Sequence, residues 1–513
     1  MINKMDWDTA ANAARAEKSV RAMLSYDSAH VPPISPWKGD PSLFSMLQGA
    51  RVWLTRTLNG FSLPTHATRF PSGESSVSSR GHTDLYDKLA SDDQWTSSAG
   101  CIDYAAYLCY NTLGLKRAVR ARYRKLYPYL DMHSNNPHKG HGFKVFRSMF
   151  KAVVSIDTGR ITTVPKDSKN DRVISMEPTF SMVCQLQLAQ GLRDCLLRNR
   201  GIDLNNQANV NRSLTSNKSK ATVDLSNASN SNWQWLIDAI WPEHVLKHLK
   251  QFRSDTFEYK GEYYCLNMFS PMGNGFTFEL MTLTLLALTR QLDPASEVFG
   301  DDIVIDADRF NDLIDLLGKT GWVVNTSKTF ATGSFRESCG FFHTEADGFI
   351  KSYDFKWPSN PGLYDYLTIG NKAFRILQAN QVSPPLRAIL LRLYCEILRE
   401  CSRFAVDHVG WDELPDGVLL SHRRFLPSHK RADDERSAAV AAVYHRPLDY
   451  VTRSVITLSN SRVRTQELDH ILRGLFITRG VYTPTVRGSS REIETTCDRF
   501  SGTPVKALMR HIE

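Results

Sequence analysis

Val298-Phe299-Gly300-Asp301-Asp302-Ile303-Val304-Ile305 is the stretch on which the reading of this chain turns. Two apolar runs of strand type flank a Gly-Asp-Asp tripeptide, the pattern of a tight hairpin with neighbouring carboxylates at its tip. Neighbouring carboxylates in such a turn repel each other unless a cation lies between them, so the tripeptide reads as half of a metal site. The alternative is an ordinary surface turn, where glycine and aspartate are common for conformational reasons alone.

Upstream, Ala221-Thr222-Val223-Asp224 reads as a second strand with Asp224 at its end. Ser226, Asn227 and Ser229 then offer capping oxygens for a helix through Trp233, Trp235 and Ile237. If the two strands are neighbours in one sheet, Asp224, Asp301 and Asp302 come to one edge. Three hard oxygen donors suit Mg²⁺, which keeps water and substrate phosphate oxygens as its other ligands. Two such ions, about 4 Å apart and replaceable by Mn²⁺, would activate an attacking hydroxyl and stabilise a leaving pyrophosphate oxygen.

A triphosphate needs positive charge, and Val164 to Arg172 (VPKDSKNDR) supplies Lys166, Lys169 and Arg172 at spacings that an extended hairpin aims at one channel. The alternative is a solvated loop. Ser270 to Gly275 (SPMGNG), with Gly273 and Asn274, allows close backbone approach by a nucleic-acid strand or a ribose; as a plain loop it is only a helix entry. Lys328, in Asn325 to Phe330 (NTSKTF), is a candidate proton donor to the leaving pyrophosphate.

Phe276 to Leu288 is apolar on nearly every face, as in a helix buried in a large core. Phe310, Leu313, Ile314 and Leu317 follow a 3.6 period, with Gly318 as the expected stop. Lys116 to Lys125 (KRAVRARYRK), as a helix, puts Arg117, Arg120 and Arg124 on one stripe, either a solvated face or a polyanion contact. His138 to Lys151 alternates cations with Phe143, Phe146 and Phe150, which either stack on bases or belong to the core. His133, His138 and His141 lie among Gly and Pro without neighbouring Cys or Glu ligands, so no metal site is expected there. Gly318-Lys319-Thr320 ends like a phosphate loop, but position 313 is Leu and the segment closes a helix.

The chain has 513 residues, 63 Lys and Arg against 54 Asp and Glu, and a net charge of +9. That excess favours a polyanionic partner, nucleic acid first and an acidic membrane surface second. Nine scattered cysteines without a Cys-x-x-Cys favour neither a disulfide framework nor a zinc knuckle and fit a reducing cytoplasm. Met1 to Ala29 is polar, and the apolar run Leu280 to Leu288 is too short to span a bilayer, so no membrane association is expected. The class is α+β. Helices and basic loops fill 1–215, strands alternate with helices over 216–360, and helical patterns such as Ala373 to Leu377 and Leu386 to Arg399 dominate 361–513.

The order of these segments (basic hairpin, Asp-bearing strand, Gly-rich loop with helix, Gly-Asp-Asp hairpin, lysine) resembles the motif succession of RNA-directed RNA polymerases. ATVDLSNAS, SPMGNGFTFEL, VFGDD, FRESCG (Phe335 to Gly340), VPKDSKNDR and GIDLNNQ (Gly201 to Gln207) resemble the replicase catalytic (beta) subunit of RNA bacteriophages, the leviviruses. The resemblance is dense from Val164 to Gly340 and thin towards both ends. It implies a right-hand polymerase fold: fingers in 1–215, a palm of antiparallel sheet plus helices in 216–360, and a mainly helical thumb in 361–513.

It further implies Asp224, Asp301 and Asp302 as metal ligands and Lys166, Lys169 and Arg172 on the incoming triphosphate. The implied activity is primer-independent RNA synthesis from NTPs on a single-stranded phage RNA, in the cytoplasm of a bacterial host. Ser229, five residues after Asp224, stands where reverse transcriptases carry a bulky aromatic, and its small hydroxyl leaves room for a ribose 2′-OH beside Asn274. Host elongation factors Tu and Ts and a ribosomal protein are implied as partners. The rivals are a reverse-transcriptase-like polymerase, opposed by Ser229 and by Gly300 where an aromatic is usual, and a noncatalytic basic RNA-binding protein with acidic surface turns.

Overall fold

The computed structural model describes residues 9–30, 39–71, 75–76, 85–91, 94–129, 142–166, 171–345, 348–351, 369–370, 372–373, 376–377, 384–403, 408–409 and 419–420. The chain divides into two compact units, residues 6–352 and residues 353–513 together with the first five.

The larger unit opens with helices α1 (Thr9–Ala29), α2 (Pro41–Thr57) and α3 (Leu85–Ala90). Asp40 starts α2 by accepting the Leu43 N–H at 3.0 Å, with Pro41 in the first turn, where its missing N–H costs nothing. Strand β1 (Thr96–Ser97) leads to α4 (Ile102–Asn111), α5 (Leu113–Leu126) and α6 (Gly142–Val153), which pack together. Strands β2 (Ser155–Ile156), β3 (Gly159–Pro165) and β4 (Asp171–Met176) follow, then α7 (Thr179–Arg200) and α8 (Gln207–Leu214).

Next come β5 (Lys220–Val223), β6 (Leu225–Ser226), α9 (Gln234–Ile240), α10 (Glu243–Phe252), β7 (Phe257–Tyr259) and β8 (Glu262–Tyr264). The unit finishes with α11 (Thr277–Thr289), β9 (Glu297–Phe299), β10 (Asp302–Asp306), α12 (Phe310–Lys319), β11 (Val323–Val324), β12 (Arg336–Ser338), β13 (Phe341–Thr344) and β14 (Gly348–Lys351). The architecture is mixed helix and sheet, as the α+β reading expects.

Three sheets matter for the site. An antiparallel sheet in the order β5-β10-β9 forms the centre. A four-stranded sheet, β4-β3-β7-β8, joins two antiparallel hairpins through the parallel pair β3 and β7, and a meander, β12-β13-β14, stands beside β5.

The expected buried helix is α11: all its residues but Phe278 are buried, and it packs on α2, α7 and β9. Each leucine removed from water there contributes about 1.5–3 kcal/mol. The threonines that interrupt the apolar run satisfy polar groups around the helix: Thr284 Oγ1 accepts the Trp241 indole N–H (3.0 Å), and Thr282 Oγ1 accepts the Gly300 N–H (3.0 Å). Buried Glu279 on α11 pairs with Arg193 of α7 at 2.6 Å.

Two local expectations are corrected. Ser226, Asn227 and Ser229 do not cap an α-helix. Asn227 turns left-handed (φ 51°) into a short 3₁₀ turn, Ala228–Ser231, and α9 begins only after Trp233, which makes no side-chain cap. Nor does α12 stop at Gly318. It continues to Lys319, and the left-handed residue is Gly321 (φ 84°), where a Cβ would stand 2.5 Å from Trp233 Nε1. For α6 the structure selects the core alternative: Phe146 and Phe150 are buried, and Phe143 stacks edge-on against Tyr107 and Tyr110.

The smaller unit contains helix α13 (Pro384–Arg403), with Leu390, Tyr394 and Ile397 buried, and a parallel pair, β15 (His408–Val409) with β16 (Leu419–Leu420). No described helix is long and apolar enough to cross a membrane.

The two glycines of α12's end separate in a stability test. Gly321→Ala combines a disfavoured φ with a clash and lowers unfolding stability by about 1–3 kcal/mol, whereas Gly318→Ala, with nothing within 4 Å of the new Cβ, is neutral or stabilising by up to about 1 kcal/mol. Denaturant midpoints check both; equal losses contradict the assignment of the stop to Gly321.

Candidate active site

The antiparallel register of β5 and β10 ends with Val223 opposite Ile303, so Asp224 leaves β5 at the end where Asp302 begins β10, near enough for its charge to act on Asp302. In the β9–β10 hairpin Phe299 pairs with Asp302, which leaves Gly300 and Asp301 as the two turn residues. Gly300 alone takes positive φ (64°), the pattern of a type II′ turn. A Cβ there would stand 2.9 Å from Phe278 Cε2, so α11 demands glycine for space as well. Two strand ends and one turn thus gather Asp224, Asp301 and Asp302 at one end of the sheet.

Asp224 is held on both main chain and side chain by Asn325. The Asn325 N–H donates to the Asp224 carbonyl (2.9 Å) and its amide Nδ2 to Asp224 Oδ2 (2.7 Å). Lys328 Nζ lies 3.9 Å from the same Oδ2, and the carboxylate side chain is 17% exposed. Burial raises its proton affinity above the usual aspartate value; Lys328 and the Asn325 bond oppose this, and the charge on Asp301 adds to it.

Asp302 accepts the Cys339 backbone N–H at 2.9 Å on Oδ1, with Ser338 Oγ at 3.4 Å. Burial pushes its pKa up to about 6; the Cys339 N–H opposes the rise, and Asp301, Asp224 and Glu337 add to it. Cys339 itself sits in left-handed backbone (φ 55°), unusual for a residue with a Cβ, with Gly340 following at φ 73°. That double left-handed turn aims the N–H at Asp302. Burial first, and Asp302 second, push the Cys339 thiol up to about 12, so it stays protonated at neutral pH and is no nucleophile.

Glu337 brings a fourth carboxyl group to the cluster. Burial raises its pKa, Lys328 opposes and Asp224 adds. Buried Arg336 beside it donates to the carbonyls of Lys218, Lys220, Ala331 and Thr332, stitching the 331–335 loop to β5.

The remaining candidates fall elsewhere. Lys166 and Arg172 are exposed on the β3–β4 hairpin, where Val164 pairs with Arg172; Lys169 lies outside the described residues. The hairpin is anchored to α1 by Arg15 on Asp171 at 2.7 Å. Gly273 (φ 107°) packs so closely on β4 that a Cβ would stand 2.1 Å from the Ser175 carbonyl oxygen, and the Ser175 N–H donates to the Met272 carbonyl at 2.7 Å.

Asn274 is buried beside it, while half-buried Ser229 sits on the 3₁₀ turn after β6. So the structure joins Asp224, Asp301, Asp302 and Lys328 in one cluster, and it joins the β3–β4 hairpin to the Gly273–Asn274 loop. Arg117, Arg120 and Arg124 are exposed along α5. His133, His138 and His141 lie outside the described residues.

Among the described residues no three His, Cys, Asp or Glu side chains already form a metal cage. The donor chemistry nonetheless fits a hydrated Mg²⁺: carboxylate oxygens only, some facing solvent, crowded enough to raise one another's proton affinity. The sequence reading missed Asn325, Glu337, Ser338 and Cys339. For Glu337, Ser338 and Cys339 the one local signal is the Cys-Gly pair closing a strand-like Phe-Arg-Glu-Ser, which marks a left-handed turn only once its partner is known.

A mixed helix-and-sheet unit with an acidic cluster on a central hairpin is what the geometry defines. The family described as RNA replicase, beta-chain, matches residues 42–353, more than half of the chain, and the chain belongs to that family. It is 40% identical over 281 residues to the RNA-directed RNA polymerase subunit beta of Escherichia virus Qbeta, covering 52% of this chain and 42% of that protein.

It is also 36% identical over 195 residues to the RNA-directed RNA polymerase beta chain of Enterobacteria phage GA, covering 36% of each, and 34% identical over 209 residues to that of Escherichia phage MS2, covering 39% of this chain and 38% of the relative. The match thus spans less than half the length of these relatives. Superposition on solved structures is loose: the RNA-dependent RNA polymerase of a human picorbirnavirus gives a TM-score of 0.30 at 16% identity over 47% of this chain and 52% of that one.

The raised pKa of Asp302 has a stability consequence without metal. Because the folded value (about 6) exceeds the ordinary value of 3.8, this group contributes no penalty below pH 3.8 and a growing one as pH rises through 6. Metal-free Asp302→Asn, which keeps an acceptor for the Cys339 N–H, is therefore more stable than the parent at pH 7.5 by on the order of 1–3 kcal/mol, and the advantage vanishes near pH 4. Thermal melts across pH 4–8 check the slope; a pH-independent difference contradicts it.

Proposed function

We propose that this chain is an RNA-templated RNA polymerase that synthesises RNA from NTPs without a primer, replicating a single-stranded phage RNA. The observation that carries the reading is the gathering of Asp224, Asp301 and Asp302 on a Gly-Asp-Asp hairpin in a member of the replicase beta-chain family. In this reading the three carboxylates hold two Mg²⁺ ions, replaceable by Mn²⁺. Bound there, the metal supplies positive charge to the attacking hydroxyl and to the phosphate oxygens.

The protein's own residues then have separable tasks. The Asn325 amide binds Asp224 Oδ2 and the Cys339 N–H binds Asp302 Oδ1, so a cation would be held through Asp224 Oδ1 and Asp302 Oδ2. Lys166, Lys169 and Arg172 bind and orient the triphosphate. Lys328, 54% exposed and weakly held at 3.9 Å by Asp224, is free to swing towards a leaving pyrophosphate and give it a proton. Gly273 lets the template or nucleotide approach the backbone, and Ser229 and Asn274 flank the sugar, with a small hydroxyl at 229 leaving space for a 2′-OH.

The larger architecture is read as a right hand, with fingers in 1–215, palm in 216–360 and a mainly helical thumb in 361–513. The excess of Lys and Arg suits an RNA template, and the resemblance to phage replicases brings elongation factors Tu and Ts and a ribosomal protein of the bacterial host as partners, in its cytoplasm.

The test is nucleotide incorporation on an RNA template with Mg²⁺. Asp301→Asn lowers incorporation by several orders of magnitude while RNA binding persists, because it removes a metal ligand and no phosphate contact. Unchanged turnover refutes the assignment. Ser229→Tyr, measured alongside, shifts the preference away from NTPs towards dNTPs; an unchanged ratio removes Ser229 from the sugar site.

A further inference from the structure

Glu177 follows β4 directly, is 1% exposed, and lies where the β3–β4 hairpin meets the Gly-rich loop. Its Oε2 accepts the Ser254 hydroxyl at 2.5 Å, and its Oε1 faces Asn274 Nδ2 at 3.4 Å. Burial pushes the Glu177 carboxyl towards its neutral form, and hydrogen bonds from Ser254, Gln185 and Asn274 oppose this, as does the charge of buried Arg253, whose guanidinium stacks over Phe269 at 5.0 Å. Burying a carboxylate is expensive, and a glutamine fills the same volume without a charge to desolvate. A carboxyl group differs from that amide in one way that matters here: with Ser254 on Oε2, the Oε1 that faces Asn274 has no N–H to present and accepts.

The amide of Asn274 is thereby held in one of its two flip states. Its Oδ1 accepts the Phe276 N–H (3.1 Å) at the start of α11, and its Nδ2 must turn to Glu177. The second Nδ2 proton has no acceptor among the described residues. Gly275 next door donates its N–H to Gln185 Oε1 at 2.9 Å, and the Ser175 N–H binds the Met272 carbonyl at 2.7 Å, so the loop is clamped on both sides of Asn274.

We propose that Glu177 is a positioning residue for sugar selection: it orients the Asn274 amide so that the free Nδ2–H is offered to a ribose hydroxyl, and it locks that donor to the hairpin bearing Lys166 and Arg172. This rests on the polymerase reading above, with Asn274 beside the sugar. Triphosphate grip and sugar contact then move as one piece, since β4 carries the first and pins the second. Glu177 touches no substrate and acts only through Asn274.

The experiment is a double-mutant cycle on the full chain, reading kcat/KM for each NTP and its 2′-deoxy counterpart. Glu177→Gln, which can present its own donor to Asn274 and release the flip state, lowers the NTP-over-dNTP preference roughly three- to tenfold, mainly through the KM for NTP. In an Asn274→Ala background, Glu177→Gln has no further effect on the preference.

Multiplicative effects of the two substitutions, or an unchanged preference in Glu177→Gln, overturn the proposal. If Glu177→Gln does not fold, Glu177→Asp carries the test by drawing the carboxyl group back from Asn274 Nδ2: a reduced preference supports the role and an unchanged one overturns it. A parent that incorporates no nucleotide with elongation factors Tu and Ts and the ribosomal protein supplied refutes the polymerase reading and this inference with it, whereas an active parent with an unaltered ratio refutes the inference alone.

Discussion

Mutual repulsion among the carboxylates at one end of the β5–β10 pair is the constraint around which the larger unit is arranged. Asp302 is driven towards its neutral form by burial, and Asp301, Asp224 and Glu337 push in the same direction. Such crowding persists only because the strands beneath it are fixed by packing that has nothing to do with charge. Val223, Ile303, Val304 and Ile305 are all buried, and α11 behind the hairpin is buried along almost its whole length. The apolar core stabilises a register that would otherwise slip to separate the charges, and a slip of one residue would turn each carboxylate to the opposite face.

The polar supports around the cluster follow from the same constraint. Each is a neutral donor or a single cation placed at a carboxylate oxygen: the Asn325 amide and Lys328 at Asp224, the Cys339 N–H at Asp302. None neutralises the group fully, so the site stays short of positive charge while its geometry is held. Left-handed backbone at Cys339 is the local cost of directing an N–H where a side chain would have had to reach.

How much of this was legible in the sequence depends on whether the signal was local. The Gly-Asp-Asp hairpin, the strand ending at Asp224, and helices α11 and α12 were readable, since period and turn chemistry reside within each segment. The partners of the carboxylates were not, because Asn325 and Cys339 approach from elements paired through tertiary contacts that no window of sequence contains. Gly318 was mistaken for the stop of α12 because both glycines suit a helix end; only the Trp233 ring, far upstream, decides for Gly321. Asn227 failed as a cap for a related reason: β6 pairs with β11 and carries the chain into a 3₁₀ turn before α9 can begin. Phe143, Phe146 and Phe150 were balanced between base stacking and core until the packing of α4, α5 and α6 claimed them.

The most direct measurement of the central claim is anomalous diffraction from crystals soaked with Mn²⁺ and a nucleoside triphosphate. Cation density bounded by the carboxylates of Asp224, Asp301 and Asp302 is the predicted result. Carboxylates that stay apart with no Mn²⁺ between them, while substrate is present, would contradict the account at its root.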